Sequence, residues 1–138
     1  MERVYTAPLL DKLGVRPGMR VAIVGDLDVD HEAGAFRDAL AERTSDVSEH
    51  VVAPETDVVI LVADSAAELD VLEDLRGHIR PGGAIWVVTR KGKAATLRDV
   101  EIMAAAREHR LVDNKVVAFS RERTSIRLVI PVALRPRP

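Results

Sequence analysis

The densest run of chemistry-bearing side chains is Asp26, Asp28 and Asp30, followed at once by His31 and Glu32. Carboxylates at alternate positions offer the hard oxygen ligands that magnesium and calcium take, so Asp26, Asp28 and Asp30 are the candidate metal ligands. The run is not an EF-hand, because the sixth position is His31 rather than Gly and the twelfth is Arg37 rather than Glu. An acidic loop leading into the positive end of a helix accounts for the same residues without a metal. The second candidate is Thr89-Arg90-Lys91-Gly92-Lys93, which follows one apolar run and precedes a helical pattern. Backbone donors and three cations there suit phosphate or carboxylate, although the P-loop spacing is absent. Gly25, Asp26, Asp28, Arg90, Lys91 and Lys93 together are the candidate ligand-binding residues; a solvated basic turn is the alternative for the last three. The four histidines are scattered without an HExxH pair, and the chain has no cysteine, so neither a zinc site nor a thiol nucleophile is expected. Ser65 reads as a helix cap with Glu68 three places on, and Trp86 as a core residue.

The charge is split along the chain. Residues 1–75 hold 6 Lys/Arg against 17 Asp/Glu, and residues 76–138 hold 14 against 5. Either the two halves pack together and neutralise each other, or the surface is dipolar and helps two copies meet or draws an anion to one side. Only four aromatics are present and no recognisable module accompanies the basic half, so a nucleic-acid partner is not expected. No run is long and apolar enough to span a membrane, and the N-terminus does not read as a signal peptide; a cytoplasmic location is the expectation.

These candidates need a frame to hold them. Leu9, Leu10 and Leu13 share one helical face, with Gly14 as the stop. Arg20 to Gly25 reads as a short buried strand, Asp30 or His31 to Glu42 as a helix, and His50 to Val52 as a minimal strand. Asp57 to Ala63 (DVVILVA) is continuously apolar, as a strand covered on both faces must be. A helix from Ala66 to about Arg76 follows, then a turn at Pro81-Gly82-Gly83 and a buried strand from Ala84 to Thr89. Thr96 to His109 reads as helical, and Leu111 to Phe119 and Ser125 to Val132 as strands joined by a hairpin. The alternation predicts an α/β fold: a three-layer Rossmann-like sheet, mostly parallel, with an antiparallel C-terminal strand. One domain over 1–138 is expected, with a frayed tail from about residue 134.

The segment Leu13-Gly14-Val15-Arg16-Pro17-Gly18-Met19-Arg20-Val21, running into Gly25, resembles the lead-in to the first strand of class I methyltransferases. Asp57-Val58-Val59-Ile60 resembles their fourth strand, and Leu75 to Val88 the segment leading into their fifth. Thr6-Ala7-Pro8-Leu9-Leu10, Gly82-Gly83-Ala84-Ile85-Trp86 and Leu111-Val112-Asp113-Asn114-Lys115-Val116 resemble more closely a bacterial domain family of unknown function. The methyltransferase likeness implies an abbreviated version of that topology. It also implies an acidic residue two places before the first glycine, and glycines at alternate positions after it. Ile23, Leu27 and Val29 stand there instead. Only 31 residues, 26–56, separate the first strand from Asp57, with Glu49 or Glu55 as stand-ins for a ribose-binding carboxylate.

The resulting expectation is a soluble α/β domain without an assigned cofactor, more a non-catalytic or regulatory module than an enzyme, and capable of forming a homodimer. The alternatives are a site for a small anionic ligand or nucleotide at the carboxyl edge of the sheet, a magnesium-dependent enzyme, and a degenerate S-adenosylmethionine-dependent methyltransferase.

Overall fold

The computed structural model describes residues 9–27 and 31–136, with the backbone alone at 31–33. After a helical turn at 9–12 come β1 (Val21–Val24), α1 (His31–Arg43), β2 (Val47–Glu49) and β3 (Thr56–Val62). A 3-10 segment (Ala67–Val71) then runs into α2 (Leu72–Arg76), followed by β4 (Ile79–Arg90) and a 3-10 turn (Gly92–Ala94). The chain closes with α3 (Asp99–Glu108), β5 (Val112–Ala118), β6 (Arg123–Val129) and a 3-10 turn (Val132–Leu134). The strands form one sheet in the order β2-β1-β3-β4-β6-β5. The β2-β1, β1-β3 and β3-β4 pairs are parallel, and β6 runs antiparallel to both its neighbours. This is the expected mostly parallel Rossmann-like sheet in abbreviated methyltransferase order.

Side chains alternate across each strand, so a sheet covered on both faces builds two cores. Val21, Ile23, Val58, Ile60, Val62, Trp86 and Val88 pack under the 9–15 segment and α1. Ala22, Val59, Leu61, Ile85, Val87, Ile126 and Leu128 pack under α2 and α3. The first helical turn ends as the sequence suggests. Val15 N–H bonds the Leu10 carbonyl at 3.0 Å and Gly14 N–H bonds that of Asp11 at 3.1 Å, with Gly14 at φ 77°. That pattern is a Schellman cap, and Leu10 and Val15 supply its buried apolar pair. Trp86 is fully buried and its Nε1 donates to the Leu13 carbonyl at 3.0 Å, pinning the cap to β4. Trp86→Phe removes the donor and leaves a small void. We expect a loss of about 1–3 kcal/mol, seen as a lower urea midpoint with an unchanged slope.

The amino edge of the sheet is tied by Asp57. Its carboxylate accepts from the Arg20 backbone at 2.8 Å and from Arg80 Nη1 at 2.8 Å, and the latter bond raises the Arg80 pKa above its ordinary value. Cations of the basic half repeatedly meet carboxylates of the acidic half. Arg80 pairs with Asp57, Arg90 and Arg123 with Asp64, and Arg110 with Glu73, which His109 also hydrogen-bonds. The His109 hydrogen bond holds the Glu73 carboxyl below the usual carboxylate range. The two halves of the sequence thus meet at Asp57, Asp64 and Glu73.

Three local expectations are corrected. The minimal strand is Val47–Glu49, not His50–Val52: His50 takes φ 66° and leaves the sheet after its N–H bonds the Ile23 carbonyl at 2.7 Å. Pro81-Gly82-Gly83 does not end an element but lies within β4, where a register shift between Thr56 and Val58 absorbs the extra residues. A Cβ at Gly83 would stand 2.9 Å from the Asp57 carbonyl oxygen, so the glycine permits that close approach. The helix expected over 66–76 is a 3-10 segment followed by a short α-helix. β5 forms one edge of the sheet, with a register shift between Asp113 and Lys115, and Lys115 Nζ donates to the Lys12 carbonyl at 3.1 Å. Among the described residues no helix is long and apolar enough to cross a membrane.

Candidate functional site

Parallel strands leave their carboxyl ends along one edge, and open α/β sheets place ligands there. Val24, Leu61 and Val87 lie level across β1, β3 and β4, so Gly25, the 63–64 segment and the 89–91 segment emerge side by side. Gly25 takes φ 98°, and a Cβ there would stand 2.7 Å from the Val62 carbonyl oxygen. Its lack of a side chain is therefore required by strand packing as well as by backbone conformation. Asp26 is exposed beside it. Leu27 is buried and joins the core on the α1 face, where Phe36 and Phe119 meet with ring centroids 4.8 Å apart.

β2 ends one strand over, with Glu49 in register with Ile23. The Glu49 carboxylate is gripped by the Arg37 guanidinium of α1, through Nε at 3.2 Å and through Nη2. Both side chains remain about a third exposed.

Asp64, just past β3, is the polar hub of this edge. Its Oδ1 accepts from the Arg90 backbone N–H at 2.9 Å and the Thr89 hydroxyl at 3.2 Å. Its Oδ2 faces Arg123 Nη1 at 3.4 Å, and its carbonyl accepts from the Thr96 hydroxyl at 2.6 Å. The Arg123 side chain is only 2% exposed. The Asp64 N–H and the Ser65 hydroxyl both donate to Glu68 Oε1, and Glu68 N–H returns a bond to Ser65 Oγ. Ser65 is thus occupied by its reciprocal bonds with Glu68, three places on as expected, but the residue that caps the 3-10 segment is Ala66. The turn after β4 carries Arg90 at the strand end and exposed Lys91 and Lys93 beyond it. Lys91 N–H bonds the Glu122 carbonyl at 3.0 Å, tying this turn to the β5–β6 hairpin.

Of the sequence candidates, Gly25, Asp26, Arg90, Lys91 and Lys93 lie along this edge. Asp28 and Asp30 lie outside the described residues, as do Val29 and the side chains of His31 and Glu32. Among the described residues no group of three or more His, Asp or Glu is placed to hold a metal. Sequence reasoning missed Asp64 and Arg123 altogether. Asp64 had a signal, since it directly follows the strongest strand. Arg123 had none, because an arginine in Arg-Glu-Arg-Thr-Ser reads as surface until β6 is placed.

The fold is shared with solved methyltransferases at very low identity. One is an S-adenosylmethionine-dependent methyltransferase from Clostridium acetobutylicum ATCC 824, with TM-score 0.64, 7% identity, and coverage of 93% of this chain and 90% of that one. Another is a SAM-dependent methyltransferase from Aquifex aeolicus, with TM-score 0.57, 12% identity and coverage of 91% and 89%. A third is the mitomycin 7-O-methyltransferase MmcR, with TM-score 0.63 and 9% identity; this chain is covered to 94% but spans only 54% of that enzyme. The expectation of a non-catalytic module is corrected here: eight solved structures that share this fold are all named methyltransferases, so the fold argues against it. No curated protein matches the sequence. A family match does span residues 10–132, and by it the chain belongs to the family described as protein of unknown function, DUF3052.

Proposed function

We propose that the chain binds S-adenosylmethionine, or its demethylated product, across the carboxyl ends of β1 and β2, and is an enzyme of the methyltransferase type. The observation that carries this reading is Glu49. It closes β2 beside the first strand, 24 positions after Gly25. In dinucleotide-binding Rossmann folds a carboxylate about twenty residues beyond the first glycine turn accepts the ribose hydroxyls. Each carboxylate oxygen has two lone pairs, so Glu49 can keep Arg37 and still accept from a ribose. Arg37 then serves as a positioning residue that fixes the carboxylate in place.

The residues fit the nucleoside half of such a ligand. Glu49 would hold the ribose, and exposed Asp26 would stand nearer the sulfonium. The bound cofactor would supply an electrophilic methyl group on its sulfonium. Leu27 replaces a glycine of the usual loop, but its side chain belongs to the α1-face core, which removes one objection raised by the sequence.

The test is calorimetric titration with S-adenosylhomocysteine, S-adenosylmethionine and adenosine. Binding of the first two is expected, and Glu49→Gln should weaken it by about tenfold, as loss of a charge-assisted hydrogen bond predicts. No heat with any of the three at millimolar concentration refutes the reading.

A further inference from the structure

Cations outnumber carboxylates at one end of the carboxyl edge, although Asp64 lies between the ends and Arg37 pairs with Glu49. Asp26 and Glu49 stand over β1 and β2, whereas Arg90, Lys91, Lys93 and Arg98 follow β4 with no acidic residue among positions 89–98. Two of these cations are partly committed. Arg90 Nε lies 3.9 Å from Asp64 and Arg98 Nε lies 3.7 Å from Glu101. Lys91 and Lys93 are exposed and make no ion pair among the described residues. The turn that carries them is tied to its neighbours at two points and closed by a bond of its own. Lys91 N–H bonds Glu122 of the hairpin, Ala95 N–H bonds the Gly92 carbonyl at 3.1 Å, and the Thr96 hydroxyl bonds Asp64. Two unpaired ammonium groups on an anchored turn lower the entropic cost of gathering cations around a ligand.

We propose that Lys91 and Lys93 dock an oxyanionic co-substrate, a small molecule carrying a phosphate or carboxylate, beside the nucleoside site. This rests on the nucleoside reading for its role as co-substrate. The placement of charge supplies the argument for orientation. An anion is drawn toward the basic turn after β4, away from Glu49 at the end of β2, so two ligands can occupy one edge without competing. Point-charge ammonium groups suit an oxyanion whose exact shape is not dictated by a bidentate fork.

The experiment measures thermal midpoints and calorimetric affinity for inorganic phosphate, pyrophosphate and citrate at fixed ionic strength, with chloride as the control. It compares the native chain with Lys91→Ala/Lys93→Ala, and S-adenosylhomocysteine is titrated into both. A saturable response to an oxyanion, weakened about tenfold or more in the double variant, with unchanged S-adenosylhomocysteine affinity, is the expected result. A preference for pyrophosphate over citrate identifies phosphate as the recognised group, and the reverse identifies carboxylate. Oxyanion binding without any S-adenosylhomocysteine binding removes the nucleoside reading and the co-substrate role, and leaves an anion site alone. A response no greater than that to chloride, or one that survives both substitutions, overturns the proposal.

Discussion

Gly25→Ala is expected to cost the fold about 3–5 kcal/mol, read as a fall in the urea midpoint with the slope unchanged. Two penalties act together. The backbone at φ 98° lies beyond the region an L side chain tolerates, and the new Cβ would sit 2.7 Å from the Val62 carbonyl oxygen and 2.9 Å from the Val62 Cβ. Neither neighbour is the free end of a flexible chain, so β1 or β3 must shift. Gly14→Ala is the control. Gly14 also has positive φ, at 77°, but nothing lies within 4 Å of its added Cβ, so only about 1 kcal/mol should be lost. Equal losses at the two positions would show that strand packing is not what demands glycine at 25. The comparison also bears on function. Weak ligand binding by Gly25→Ala says nothing of cofactor contact unless the folded fraction is first accounted for.

Asp64→Ala is expected to cost about 3 kcal/mol, or about 10 °C in thermal midpoint for a chain of this size. The substitution withdraws one acceptor from the Arg90 backbone, the Thr89 hydroxyl and the Arg123 guanidinium at once. Arg123 is then left buried without that carboxylate, which is the costly half of breaking a desolvated pair. Asp64→Asn keeps an acceptor oxygen for Thr89 and Arg90 and should lose less. Adding Arg123→Met to Asp64→Ala removes the buried charge too, so the double variant should be less destabilised than the two single losses added together. Strict additivity would mean that the two side chains are not energetically coupled. A loss below about 1 kcal/mol for Asp64→Ala alone would mean that other protein groups already satisfy Arg123.

The centre of the sheet was legible because a strand buried on both faces has to be apolar at every position. Asp57 to Ala63 and Ala84 to Thr89 announce themselves in that way; the second lies within β4, and the first matches β3 except that the strand ends at Val62. The edges obey weaker rules. β2 is Val-Ser-Glu, three residues at the edge of the sheet of which none is fully buried, and its end is set by the left-handed turn at His50 rather than by any apolar pattern. That is why Glu49 could be weighed as a ribose ligand from sequence but not placed. Pro81-Gly82-Gly83 carries the composition of a turn, yet pairing of β4 with β3 on either side draws it into the strand. Arg123 is the clearest limit. Its burial depends on β6 inserting between β4 and β5, a long-range event with no trace in local residue order.

Position 114 has a bearing on how the molecule behaves when crowded. The outermost strand presents Val112 and Val116 at the surface, the kind of apolar border onto which a stray chain could stack. Asn114 interrupts the ladder there, since Asp113 and Lys115 face consecutive residues of β6 while Asn114 faces none. The irregular step denies an incoming strand a straight template, and Lys115, tethered to the Lys12 carbonyl, keeps a charge along that border. Protection from fibre-like stacking is thus written into one extra residue rather than into the strand's overall hydrophobicity.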